Sequence, residues 1–298
     1  MNTQTEKDIA ANVIKELIAL GFLDSTGKTT NVPPTLALPG SPAVDSEPVE
    51  LLSAELIGVD NPHNLDALKI MRKATPARIL MGRCGCRQKT ASLLRFLADH
   101  AAAVDAVFKD LPETFLEQQK LFQVKTVVRD KDEYLMKPEL GKRLDEASRA
   151  ILLEKCKKNP QVQIIVVDGL STTSIEANIG DVMPALVQGL MTMGVSVGTP
   201  FYVKYGRVGI MDDIAPLLGC EVIVEFIGER PGLITAESMS AYLAYKPTHA
   251  TIEAERTVIS NIHRGGTGPV EAGAHLATVV KQMLDHKAGG VKLAEQVK

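Results

Sequence analysis

Four segments in the second half of the chain set charged and hydrogen-bonding side chains directly after an apolar run. They are Ile164 to Thr172 (IIVVDGLST), Pro200 to Val208 (PFYVKYGRV), Glu221 to Leu233 (EVIVEFIGERPGL) and Arg256 to Gly266 (RTVISNIHRGG). Each ends in a small, polar, glycine-containing loop, the form an open α/β sheet uses along its carboxyl edge to hold a ligand. In the first, Asp168 to Thr172 offers free backbone N–H groups at a strand-to-helix turn, where a phosphate or amide oxygen can sit. Thr173 and Glu176 have capping-box spacing, so ordinary helix capping accounts for that turn equally well. In the second, Tyr205-Gly206-Arg207-Val208 joins an arginine to a backbone that glycine leaves open to close approach, or else forms a plain tight turn. In the third, Gly228-Glu229-Arg230-Pro231-Gly232 puts a carboxylate and a guanidinium on a turn stiffened by proline. Glu229 there can accept a hydrogen bond from a ligand amide or hydroxyl, or pair with a neighbour.

The fourth loop, Ser260 to Gly266, concentrates polar side chains before a helix that carries Glu271 and His275. His263 has no metal-like partner four residues on, and no nucleophile, base and orienting group assemble from these segments, so no catalytic residue is expected in this chain. A binding face without catalytic machinery suits a subunit better than a complete enzyme. Cys84 and Cys86 form a C-x-C pair with no second Cys/His pair at finger-like spacing, which reads as free thiols and no metal site. The adjoining Gly82-Arg83-Cys84-Gly85-Cys86-Arg87 is not the dinucleotide fingerprint, and no acidic residue follows at ribose distance.

The elements that must position these loops emerge from the apolar pattern. Strands are expected at 77–82, within 110–131, at 162–167, near 195–204, and at 221–227, 241–245 and 256–260. Helices are expected at 90–107, 138–158, 175–193, 211–218 and 269–287. Strands separated by helix-length segments predict an α/β fold with a mostly parallel, Rossmann-like doubly wound sheet. Residues 1–23 form an expected N-terminal amphipathic helix, with Ile9, Val13, Ile14, Leu17, Ile18 and Leu20 at three- and four-residue intervals. Residues 24–48, rich in Pro, Thr, Ser and Gly, form an expected flexible linker, and 49–298 the helical lead-in and ligand-binding domain. With 298 residues the chain has room for one large domain. It has no tryptophan and 4 % aromatic residues, so its core must come from Ile, Val, Leu, Met and Ala. A net charge of -3 and a pI near 6.1 favour neither nucleic acid nor an anionic membrane. Four cysteines, no signal-peptide pattern and no membrane-length apolar run point to a reducing, soluble compartment.

Taken in order, DGLST, GTPFYVKYGRV, GERPGL and SNIHRGGTGPVEA, with LLRFLADH at 93–100, resemble the light chain (small subunit) of ethanolamine ammonia-lyase over roughly residues 75–290. The resemblance implies a chain that works with a heavy, barrel-type catalytic subunit to convert ethanolamine to acetaldehyde and ammonia with adenosylcobalamin, whose radical chemistry the cofactor supplies. It implies a cobalamin site at the boundary of the two chains, with this chain contributing Val208, Glu229 and Val258. Val258 stands where the family pattern has cysteine, so a van der Waals or backbone contact is expected there in place of a thiol. The chain lacks the D-x-H-x-x-G pattern that places a histidine on cobalt, which makes base-on binding the expectation. The resemblance also gives the 1–23 helix a meaning, as a signal that loads the enzyme into a bacterial microcompartment; without a shell the expected location is cytoplasmic. Two other readings of the same residues are a stand-alone nucleotide-binding α/β enzyme and a non-catalytic scaffold for microcompartment cargo.

Overall fold

Short apolar runs become the strands, and the amphipathic stretches between them become the helices that cover the sheet. A computed structural model describes residues 57–297; the expected helix at 1–23 and linker at 24–48 lie outside the described residues. In chain order the elements are α1 (Leu65–Lys73), β1 (Arg83–Cys84), β2 (Arg87–Gln88), α2 (Thr90–Phe108), α3 (Glu113–Gln118), β3 (Phe122–Lys125), α4 (Lys131–Met136) and α5 (Glu146–Lys155). There follow β4 (Val162–Val167), α6 (Thr172–Thr192), β5 (Phe201–Lys204), α7 (Met211–Leu218), β6 (Val222–Gly228), β7 (Met239–Tyr245), β8 (Arg256–Ile262), α8 (Pro269–His286) and α9 (Gly290–Gln296).

Six strands form one sheet in the order β3-β5-β4-β6-β7-β8, and β1 pairs only with β2. The first four are mutually parallel, whereas β7 runs antiparallel to β6, and β8 antiparallel to β7. The sheet is therefore mostly parallel, with a closing meander in place of a last crossover. Because two reversals restore direction, β8 ends at the same edge as β4, β5 and β6, so the meander keeps the fourth loop beside the others. The central strands β4 and β6 are buried along their whole length, as near-continuous apolar runs must be when both faces are covered. Edge strand β8, buried only at its two ends, instead runs through half-buried and exposed positions.

Each face carries its own core. On one, Ile164, Val166, Val224 and Phe226 meet Ile175, Ile179, Val182 and Leu186 of α6 and Leu276, Val280 and Met283 of α8. On the other, Ile165, Val167, Ile223 and Ile227 meet Leu152 of α5 and Met211, Ile214 and Leu218 of α7. Each such large side chain moved out of water contributes roughly 1.5–3 kcal/mol, so these two layers hold the loops in register.

Four expectations require correction. Residues 77–82 are not a strand: Leu80 and Gly82 adopt φ of 61° and 73°, which breaks extended backbone, and the first strand of the main sheet is β3. The helix expected over 138–158 divides into a 3-10 turn at Pro138–Lys142 and α5, because Asp145 turns its side chain back to accept from the Ser148 N–H at 2.7 Å and starts a new helix. The strand near 195–204 is only β5; the stretch before it meets the sheet through a single bridge, Val197 to Val162. Helix α6 begins at Thr172 with Ser171 as its cap, so Thr173 lies inside the helix, while Glu176 pairs with Lys109 in place of closing a capping box.

Candidate functional site

The four loops do share one edge, and specific polar contacts join them side by side. Asp168, buried at the end of β4, accepts from the N–H groups of Gly169 (2.9 Å) and Gly206 (3.0 Å) through Oδ1 and from Tyr205 N–H (2.7 Å) through Oδ2. This carboxylate ties the first loop to the second and supports Tyr205 at φ 59°. Burial raises its pKa to about 6, a rise moderated by Lys131 and the three N–H donors. The first and third loops meet where Leu170 N–H donates to Gly228 O at 3.0 Å. A Cβ on Gly228 would lie 2.1 Å from Ser171 O, so only glycine fits there. The third and fourth are joined by Glu229, whose Oε1 accepts from Asn261 N–H (2.9 Å) and Ser240 Oγ (2.6 Å), with Ser260 Oγ 2.9 Å from Ser240 Oγ.

In a sheet of this kind the usual ligand crevice lies where successive crossovers leave in opposite directions. Here that point is between β4, followed by α6 on one face, and β5, followed by α7 on the other. The crevice is filled by the protein itself. Tyr134, fully buried, reaches in from α4 and places its hydroxyl 2.7 Å from Gly169 O and 2.8 Å from Gly206 O. The Arg207 guanidinium stacks 4.1 Å from its ring centroid, and burial pushes its phenol far above the usual range. A nucleotide entering at this point would have to expel an aromatic side chain that satisfies two loop carbonyls.

Room for a ligand lies farther along the same edge. On the face covered by α5 and α7, the buried core those helices make takes in Ala244 of β7 but no residue of β8. Tyr242 of β7 is only half-buried, and its partner on β8, Val258, is 47 % exposed. Strand alternation puts Ser240 and Ser260 on this face as well. Val208, half-buried, packs against the core of the same face. Val208, Glu229 and Val258 thus fall on one face of the sheet, Val208 and Glu229 at its carboxyl edge and Val258 at mid-strand, level with Glu225.

Glu229 is half-buried, which by itself would raise its pKa, but the Asn261 N–H and Ser240 hydrogen bonds outweigh burial and hold it below the usual value. It is a fixed anion with one carboxylate oxygen, Oε1, occupied by the protein. Arg256 sets the register of β8 by pairing with Asp212 on α7 at 2.6 Å and with Glu253 at 2.6 Å. Two strands in, Glu225 lies opposite Tyr242 in the row that ends at Val258; it is fully buried, and burial pushes its pKa far upward, which favours a neutral acid under this surface.

His263 is held by its own loop. Nδ1 accepts from Gly265 N–H at 3.1 Å, which leaves the proton on Nε2 to be donated to Asn261 Oδ1 at 2.8 Å. Both ring nitrogens are engaged within the loop, so neither is free for a metal. His275 sits on α8 after the fourth loop. Among the described residues no group of three or more His, Cys, Asp or Glu could hold a metal ion, and no helix is long and apolar enough to cross a membrane. Cys84 and Cys86 are exposed free thiols in the β1–β2 hairpin.

Sequence reasoning does not single out Tyr134 or Ser240. Tyr134 is 35 and 72 residues from the carbonyls it bonds, and a tyrosine on a short polar helix carries no local sign of that role. Ser240 has a readable sign, a polar residue within the apolar strand MSAYLAY.

The arrangement can be compared with known proteins. Residues 65–294 match the model of the ethanolamine ammonia-lyase light chain (EutC) family. The ethanolamine ammonia-lyase small subunit of Clostridium perfringens is 53 % identical over 235 residues, covering 79 % of this chain and 80 % of that protein. The small subunit of Clostridium tetani is 53 % identical over 237 residues, with the same two coverages. That of Lachnoclostridium phytofermentans is 44 % identical over 296 residues, covering 98 % of this chain and 99 % of its own. With a match running from α1 into α9, and relatives this similar over most of both chains, this chain belongs to the ethanolamine ammonia-lyase light-chain family and is the small subunit of that lyase.

Proposed function

We propose that this chain forms one wall of an adenosylcobalamin site that the large subunit closes, and that the pair converts ethanolamine to acetaldehyde and ammonia. The observation that carries the reading is the exposed part of this face around Tyr242 of β7 and Val258 of β8, bordered by a fixed carboxylate. Cobalamin is broad, with amides around its rim, and suits a shallow surface that combines apolar contact with a few placed polar groups. Tyr242, Val208 and Val258 supply the apolar part, and Glu229 has Oε2 left to accept from an amide N–H. At Val258 a side-chain methyl replaces the thiol of the family pattern, which leaves a van der Waals contact. His263, committed within its loop, is no candidate for cobalt, in keeping with base-on binding. The radical chemistry belongs to the cofactor; this chain binds, orients and excludes water.

Titration of adenosylcobalamin, followed by its visible absorbance, tests the shared site. The mixture of subunits is expected to bind it far more tightly than either chain alone. Glu229→Ala in the mixture should weaken binding about tenfold, near the 1.5 kcal/mol of one hydrogen bond to a charged group, with the melting temperature little changed. Unaltered affinity would remove this carboxylate from the site, and equal affinity of the large subunit alone would remove this chain.

We further propose that residues 1–23 direct the enzyme into a microcompartment shell, a reading supported by their apolar periodicity. A chain lacking residues 1–24 is then expected to assemble and turn over normally but to spread through the cytosol in fluorescence images. Retained shell association would overturn the idea.

A further inference from the structure

Helix α2 runs beside the carboxyl edge and presents an apolar stripe that nothing among the described residues covers. Its position is set by contacts at two points. At its C-terminal end Lys109 O accepts from Thr172 Oγ1 at 2.9 Å, and the Lys109 ammonium pairs with Glu176, both on the first turns of α6 just after the first loop. At its middle, Asp99 pairs with Arg78, whose Nη2 also donates to Leu233 O of the third loop at 2.7 Å. The helix is therefore fastened to two of the four ligand-edge loops.

Of its 19 residues only Ser92 and Ala106 are buried. Leu93, Leu97, Val104 and Phe108 are 44 %, 51 %, 43 % and 53 % exposed. With Ala101 they recur at intervals of four, four, three and four, the seam spacing with which one helix packs on another. Nineteen residues span about 28 Å, so the stripe is long. Monomeric surfaces seldom leave a contiguous apolar patch of this extent uncovered.

We infer that this outward stripe of α2 is the docking surface for the large subunit. The inference rests on the proposed function and adds the place of contact. Two observations favour that occupant over a second copy of this chain or its own N-terminal segment. The stripe lies wholly within residues 65–294, the part matched by the light-chain family, whose members are small subunits and so share a larger partner. It also flanks the edge that a partner must approach to close a site over Glu229 and Val258.

The test measures affinity of the full-length chain for the purified cognate large subunit by sedimentation, alongside circular dichroism and thermal melting. Three chains are compared: the wild type, the double variant Leu93→Lys with Leu97→Lys, and the control Met191→Lys. Met191 is also apolar and 69 % exposed, but lies at the far end of α6. The double variant is expected to bind at least tenfold more weakly with an unchanged melt, and the control to bind as the wild type does. If the double variant also melts early, Val104→Thr, nearly isosteric, decides, with about threefold weaker binding at an unchanged melt as the supporting result. A wild type that does not bind the large subunit removes the functional reading itself. A wild type that binds, with variants that bind as tightly, overturns only the docking surface. Loss of self-association or of thermal stability with partner affinity intact assigns the stripe to a second copy or to the chain's own N-terminal segment, and either result overturns the inference.

Discussion

The isolated chain, supplied with ethanolamine and adenosylcobalamin, is expected to release no ammonia, whereas its mixture with the large subunit releases it at a rate that depends on cobalamin. The expectation follows from how the polar groups at the loop edge are used. Glu229 is held below the usual carboxylate range and is already an acceptor for Asn261 and Ser240, so it is a weak base with little freedom to move. His263 has both nitrogens occupied within its own loop. Asp168 accepts from three backbone N–H groups inside the protein and reaches no solvent. A face whose polar groups are spent on its own architecture can hold a ligand but cannot move its protons. A coupled aldehyde or ammonia assay on the separate and combined chains gives an all-or-none result. Cobalamin-free release by the lone chain would restore the stand-alone enzyme. A large subunit with full activity in the absence of this chain would make it a scaffold.

Tyr134→Ala should cost about 3–5 kcal/mol of unfolding free energy, the range for deleting a buried aromatic side chain. That is a large part of the roughly 5–15 kcal/mol that keeps a domain folded. The ring fills the crevice between β4 and β5, and its hydroxyl serves the carbonyls of Gly169 and Gly206. Tyr134→Phe separates the two contributions: packing remains, but the carbonyls lose their donor, at a cost of about 1–3 kcal/mol. Denaturant unfolding of the three proteins measures both. Asp168 still joins the first and second loops in these variants, so the loss should appear in global stability before it appears at Glu229 on the far side of β6. A cost below 1 kcal/mol for the alanine variant would show that the crevice is not held closed by this side chain.

How far the residues alone convey this arrangement varies along the chain. β4 and β6 are legible because VQIIVV and VIVEFIG are apolar runs too short for helices, and burial on both faces permits such runs. ARILMG at 77–82 has the same look but forms no strand. Nothing in its composition reports the left-handed turns at Leu80 and Gly82 or the absence of a neighbouring strand. The division of 138–158 had a visible sign in Asp145, a capping residue within an otherwise helical pattern. The cap of α6 was misplaced by two residues because Ser171 and Thr173 are both suitable, and the choice depends on where β4 delivers the chain.

At the site, the residue types and their order are legible: four glycine-bearing loops carrying the carboxylates Asp168 and Glu229. Local sequence suffices for these because strand ends, turns and caps are governed by contacts a few residues apart. The tertiary structure decided what the loops do with those groups. It brought the fourth loop to the same edge through two antiparallel reversals, filled the expected crevice with Tyr134, and left the face around Tyr242 and Val258 exposed beside Glu229. It also fastened α2 along that edge with its apolar stripe outward. Each of these depends on pairings between residues 11 to 155 positions apart, set by which surfaces can be buried together. No local pattern encodes a distance of that kind.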